Sequence, residues 1–390
     1  MKHTTPVFAF LCSSVLTLFL SCDDQLKIDH SYYTSEEYKI LSEKLNLPVV
    51  PEDYELNFPS YLNNVSFINR SINSDKATLG RVLFYDKNLS SDKSISCASC
   101  HKQEIAFSDN VAFSVGAHNR LTTRNSLALG SVLNFQLYYG TGTFNSVPFF
   151  WDNSAMTVQE QSKNTMANPN EMDMDISKVK YVVNSLPYYK PLATKAFQTS
   201  VLNGDQILDA IAEFTNSITN YSTKFDSAVE NFSVNNHPTS HFGKDFNLFT
   251  AQENRGKALY SSLCSNCHGS LAGQPGKLAS NNGLYTNYKD LGAGKNQGEA
   301  KFKVPTLRNL IYTAPYMHDG SIATLDGVLE HYSQGIKYNP GLDESLTDYK
   351  KNPVKMNLSK QNKEDLIAFL NTLIDDTVMK AEKFSDPFKK

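Results

Sequence analysis

The sequence predicts a mainly α-helical fold of two like domains with long loops. Three observations carry that expectation. The run Cys-x-x-Cys-His occurs twice in 390 residues, at Cys97–His101 and Cys264–His268. Each run is led in by apolar residues at helical spacing, Ala77, Leu79, Val82, Leu83 and Phe84 before the first and Leu259-Tyr260 before the second. Elsewhere Gly, Asn, Ser and Pro punctuate the chain and favour loops over sheet.

Two cysteines three apart lie on one side of a helical turn, where their thiols can add to the two vinyl groups of one porphyrin. The histidine that follows can ligate the iron from below. The repeated run therefore implies two covalent c-type haems, held by Cys97 and Cys100 and by Cys264 and Cys267, with His101 and His268 on the irons. A four-cysteine zinc site would use the same thiols. It leaves the histidine after each pair unexplained and requires reduced thiolates in a chain that reads as exported. The expected units are thus two cytochrome c-like haem domains, an N-terminal one over 75–242 and a C-terminal one over 243–390.

Composition sets bounds on partners. With 40% hydrophobic and 11% aromatic residues the chain can fill two cores. The net charge of −3, made more negative by haem propionates, disfavours nucleic acid and favours a basic or cationic redox partner. Residues 1–22 read as a lipoprotein signal peptide: Lys2 and His3, an apolar run through Leu20, then Ser21-Cys22. The run is too short to span a membrane as a helix. Ser21-Cys22 is similar to a bacterial lipobox, with Phe19 where Leu is more usual. Cys22 is therefore expected to carry lipid and to anchor the protein to a membrane in the periplasm or cell envelope. Cys12 leaves with the peptide and four cysteines take haem, so no thiol remains for a disulfide.

Residues 23–74 read as a tether and N-terminal wrap, broken by Pro48, Pro51 and Pro59. An amphipathic helix is expected over Asp75–Asp86. Loops follow His101 and occupy Tyr138–Pro148, delivering Phe149-Phe150-Trp151-Asp152. Helices are expected over Val158–Met166 and Ile176–Asn184, parted by Asn168-Pro169-Asn170, and over Gly204–Tyr221, where Ile207, Leu208, Ile211, Ala212 and Ile218 form a stripe. The polar run Asn231–Gly243 marks the domain boundary. Thr250 and Glu253 make a capping box that opens the helix into Cys264. Further helices are expected at Leu325–Ser333 and Ser359–Leu373.

From about Leu79 to Leu373 the chain resembles the bacterial di-haem cytochrome c peroxidases, the family that includes MauG, which matures a tryptophan-derived quinone cofactor. The resemblance rests on both Cys-x-x-Cys-His runs, on Trp151, Gln161 and Glu171 at ten-residue intervals, and on Val304–Gly320. It implies that hydrogen peroxide is reduced to water at the His101 haem by electrons from a small cytochrome or cupredoxin. Glu171 would move the proton between the peroxide oxygens, Gln161 would orient the peroxide, and Trp151 would relay electrons between the haems. This suits the chemistry, since O–O cleavage needs an open iron position and a group that moves a proton. The resemblance also implies a calcium ion held by the Asn134 side chain and by backbone oxygens near Thr313 and Pro315. A homodimer is left open.

The sixth iron positions are where the chain departs from the better-known peroxidases. Counting fourteen residues from His318 reaches Tyr332, where those peroxidases carry Met and MauG carries Tyr. Met317 and His331 are the alternatives, and Tyr332 also falls on an apolar stripe with Leu325, Val328 and Leu329. A phenolate would favour oxidised iron, a Met sulfur reduced iron. For the first haem, His118 lies one residue beyond the position of a removable distal His. Two other functions stand beside the peroxidase: a MauG-like oxidase acting on side chains of a partner protein, which Tyr332 keeps open, and a non-enzymatic electron carrier, against which Glu171 and Gln161 argue. Mass spectrometry of the purified holoprotein should show the polypeptide plus two haems. A mass corresponding to one haem, or zinc in its place, would overturn the two-domain reading.

Overall fold

Each Cys-x-x-Cys-His run follows a helix that crosses another so closely that only glycine fits at the contact. The computed structural model describes residues 32–62, 71–131, 148–233, 243–271 and 275–390. In chain order the first half holds α1 (Ser35–Ser42), α2 (Ser74–Tyr85), the single turn α3 (Cys97–Cys100), α4 (Val158–Ala167), α5 (Ile176–Ser185), α6 (Tyr189–Phe197), α7 (Gly204–Ser217) and α8 (Lys224–Ser233). The second holds α9 (Ala251–Leu263), the single turn α10 (Ser265–His268), α11 (Leu325–Glu330), α12 (Lys360–Asn371) and α13 (Thr377–Lys380). Among the described residues the sheet is one short antiparallel pair, β1 (Ala279–Ser280) with β2 (Phe302–Lys303). The mainly α fold with long loops is as the sequence predicts. No described helix is long and apolar enough to cross a membrane.

The two crossings repeat each other closely. A Cβ on Gly80 of α2 would lie 1.9 Å from the Ala210 carbonyl oxygen of α7 and 2.8 Å from Phe214 Cβ. A Cβ on Gly256 of α9 would lie 1.9 Å from the Asp365 carbonyl oxygen of α12 and 2.8 Å from Phe369 Cβ. In both places the glycine meets a backbone carbonyl and, four residues on, a phenylalanine. The internal duplication suggested by the repeated run thus extends to the helices that frame it. Both leading helices are capped: α2 by the Asn73 side chain, and α9 by the capping box expected of Thr250 and Glu253.

The halves exchange arms. Tyr61 and Leu62, and from α8 Phe225, Ala228 and Val229, lie in one apolar cluster with Phe249, Tyr260 and Phe369. In return Val378 and Phe384 join Tyr54, Phe84, Phe107 and Phe214, and Asn46 N–H donates to the Pro387 carbonyl at 2.7 Å. Arg308, 2% exposed, fixes the first arm. Its guanidinium grips both Asp226 carboxylate oxygens at 2.7 and 2.8 Å and donates to the carbonyls of Asn220 and Leu271. Tyr61 donates to the same carboxylate at 2.6 Å.

Several expectations change in detail. The expected tether and N-terminal wrap over 23–74 has its described start, from Tyr33, packed against the first half. Thr34 and Glu37 form a capping box for α1, and Tyr33, Leu41 and Leu45 are buried with Leu79 and Val82. The charged run Ser35-Glu36-Glu37 conceals that helix, whose apolar anchors are few and widely spaced. Cys22 and the signal segment lie outside the described residues. The helix expected over Gly204–Tyr221 stops at Ser217, where the Ile218 carbonyl accepts from Ser131 N–H at 2.8 Å. The helix expected over Leu325–Ser333 is α11 running into a π-helical turn at His331–Gly335.

Gly256→Ala should destabilise the protein by about 1–3 kcal/mol or somewhat more, because its methyl meets backbone that cannot rotate away. Gly243→Ala, with open space around its Cβ, is the control in a thermal melt. Arg308→Met strands the buried Asp226 carboxylate and should cost about 3–5 kcal/mol, whereas adding Asp226→Leu should restore much of it.

Candidate active site

Both Cys-x-x-Cys-His turns open onto one cavity of about 590 Å³ that runs between the halves. Its wall includes Cys97, Cys100 and His101 at one end and Cys264, Cys267 and His268 at the other. The four cysteines are unpaired, and burial pushes the Cys97 and Cys264 thiols up to about 12. Among the described residues no three His, Cys, Asp or Glu side chains converge as a metal cluster.

Each histidine is oriented in the same way. His101 Nδ1 lies 3.0 Å from the Phe107 carbonyl, and His268 Nδ1 lies 3.1 Å from the Pro305 carbonyl. A carbonyl can only accept, so each Nδ1 carries the proton and each Nε2 keeps its lone pair for a metal. Burial lowers both imidazoles, His268 to about 4, and holds them neutral, the form an iron ligand requires. Paired thiols, neutral imidazoles and an enclosed cavity fit covalent haem at both ends.

Gln161, Glu171 and Trp151 are brought into the wall of this cavity. Gln161 stands on α4 and donates from Nε2 to Thr165 Oγ1 at 3.0 Å. Glu171 follows α4 in a turn, where Asn168 Nδ2 donates to its Oε1 at 2.9 Å. Burial raises its carboxyl pKa, opposed by hydrogen bonds from Thr165 and Asn168. Thr165 therefore joins the two polar groups. The loop 116–122 lies against the same turn: Ala117 N–H donates to the Glu171 carbonyl at 2.7 Å, and a Cβ on Gly116 would lie 2.1 Å from the Asn170 carbonyl oxygen.

Trp151 links the halves through backbone. Its Nε1 donates to the Asn125 carbonyl at 2.8 Å, and Asn125 N–H donates to the His318 carbonyl at 2.8 Å. Its own carbonyl accepts from Lys303 N–H. Lys303 is 6% exposed, donates to the Pro148 carbonyl at 2.6 Å, and is pulled down to about 7 by burial. Next to the tryptophan, Arg124 bridges Asp152 of the first half at 2.9 Å and Asp290 of the second at 2.7 Å.

Tyr332 and Met317 also line the cavity, as do Thr313 and Pro315. His331 does not: its Nε2 faces the Asn282 carbonyl at 3.0 Å. His118 likewise lies outside the wall, with Nε2 2.9 Å from Ser91 Oγ and 3.6 Å from Asp173 Oδ2 at an exposed position. Asn134 falls outside the described residues. Thr165, Asn125, Asn282 and Lys303 carry no sequence signal, since each is defined by its neighbours in space. Lys303, directly before Val304-Pro305, is the one that adjacency to the family run could have flagged.

Two cytochrome c-like units around one inter-domain cavity define a di-haem c-type cytochrome. The family model for di-haem cytochrome c peroxidase matches residues 74–233, and that for cytochrome c matches 253–373. Cytochrome c551 peroxidase of Nitrosomonas europaea is 31% identical over 78% of this chain and 81% of its own length. Methylamine utilization protein MauG of Methylorubrum extorquens is 30% identical over 77% and 78%. A crystal structure of a MauG-like protein associated with microbial copper homeostasis superposes with a TM-score of 0.65 at 29% identity, covering 87% of this chain and 98% of that one. The chain belongs to the di-haem cytochrome c peroxidase and MauG family. Membership implies two haems and oxidoreductase chemistry.

Proposed function

We propose that this protein reduces hydrogen peroxide to water at the His101 haem, with electrons entering through the second domain from a small cytochrome or cupredoxin. The observation that supports this most is the half-buried Glu171 carboxyl in the wall of the cavity that holds His101, hydrogen-bonded yet raised in pKa. The haem, when bound, supplies the iron that takes up peroxide and the redox equivalents. Glu171 accepts a proton from one peroxide oxygen and returns it to the other, so that two electrons and two protons convert one peroxide to two waters. The Gln161 amide orients the peroxide. The Trp151 ring relays electrons between the domains, its tilt fixed by the bond to Asn125.

Export and lipid attachment at Cys22, and a calcium ion near Thr313 and Pro315, complete the proposal. A second reading, oxidation of side chains on a partner protein, draws on Tyr332 in the cavity wall and on the likeness to MauG. Peroxide-dependent oxidation of a reduced cytochrome or cupredoxin by the holoprotein decides for the peroxidase, and its absence decides against it.

Glu171→Gln keeps the shape but cannot carry the proton, and turnover should fall by about 10²–10⁴-fold with both haems retained. Stability should move the other way. A carboxyl with a raised folded-state pKa binds its proton more tightly when folded, so its contribution to stability falls as pH rises from the ordinary carboxylate range through the raised value. At neutral pH Glu171→Gln should therefore melt no lower than the parent, and the advantage should vanish in acid. Parental turnover by Glu171→Gln would remove Glu171 from the chemistry.

A further inference from the structure

Asn282 sits where the three candidates for the second iron's sixth position meet. Its amide nitrogen donates to Met317 Sδ at 3.3 Å, and the same side chain acts on Tyr332, opposing the burial that raises its phenol. Its backbone carbonyl accepts from His331 Nε2 at 3.0 Å. The orientation of the amide is set, because Oδ1 accepts from Leu284 N–H at 3.2 Å and the NH₂ end is left to face Met317 and Tyr332.

The segment is held on both sides. Residues 279–280 pair with β2, and Gly283, at φ 70°, receives Lys337 N–H on its carbonyl at 2.8 Å. Lys337 lies two residues beyond the π-helical turn that carries Tyr332. Asn282 and Tyr332 are thus fixed relative to one another by backbone, not by side-chain packing alone.

We propose that Asn282 is a positioning residue that selects Tyr332 over Met317 and His331 for the second iron. A thioether sulfur is a weak acceptor, and its bond from Asn282 holds Met317 turned towards that donor. An imidazole whose Nε2–H points at a carbonyl has no lone pair there to give. The Tyr332 oxygen, by contrast, keeps a free lone pair while its ring is steadied. This rests on the reading that Tyr332 takes the sixth position.

The test uses haem-loaded holoprotein and reads the absorption and electron paramagnetic resonance spectra and the reduction potential of the second haem. Tyr332→Phe examines the coordination reading alone: an unchanged spectrum defeats that reading and this inference with it. Given a changed spectrum, Asn282→Leu should give sulfur-ligand absorption and a higher potential, as Met ligation raises it. Both changes should disappear in Asn282→Leu with Met317→Leu. Asn282→Asp keeps the acceptor for Leu284 and loses the donors, so it serves if Leu does not fold. Parental spectrum and potential in the Asn282 variants, beside a changed Tyr332→Phe, would overturn the inference.

Discussion

The contact between a glycine and a carbonyl oxygen on a crossing helix is the constraint on which the architecture depends. Van der Waals contact at Gly80 and Gly256 brings two backbones closer than any side chain permits, and it fixes where each leading helix ends. The second cysteine turn begins directly where α9 ends, and the first begins at Cys97, twelve residues after Tyr85. The histidines are then oriented by carbonyls of their own domains, Phe107 and Pro305, so each is set by chain of its own half. What the halves add is the middle of the cavity, and the exchanged arms with the buried Arg308–Asp226 pair hold the halves together.

Much of this was legible because covalent chemistry and helical periodicity leave marks on a one-dimensional string. The haem runs, the Thr250–Glu253 box and the stripe from Ile207 to Ala212 are spaced by the geometry of one helix, so spacing alone locates them. The arms were not legible. Tyr61, Phe225 and Phe384 are single aromatic residues in polar surroundings, and their burial depends on surfaces supplied by chain far away in sequence. α6 was hidden for a different reason: Pro191 looks like a breaker, yet it lies in the first turn, where its missing N–H has no partner to lose. At the site, Trp151, Gln161 and Glu171 came together in one wall, while Thr165, Asn125 and Asn282 join them through contacts that no periodicity encodes.

Charge is distributed at the junction with some economy. Arg124 bridges one carboxylate from each half beside Trp151, and the Lys303 side chain is held dry against the Pro148 carbonyl. In so enclosed a space a single proton on Lys303 acts at short range and with little screening. Its backbone N–H donates to the Trp151 carbonyl, so its main chain is fixed to that of the tryptophan.

The loop 116–122 and the Glu171 turn share a hydrogen bond and a contact too tight for a Cβ. Neither can shift without dragging the other, and His118, tethered at the loop's outer face to Ser91, is the handle on that pair. A displacement of the loop from outside would be felt at the Glu171 carboxyl within, so loop and turn form one mechanical unit.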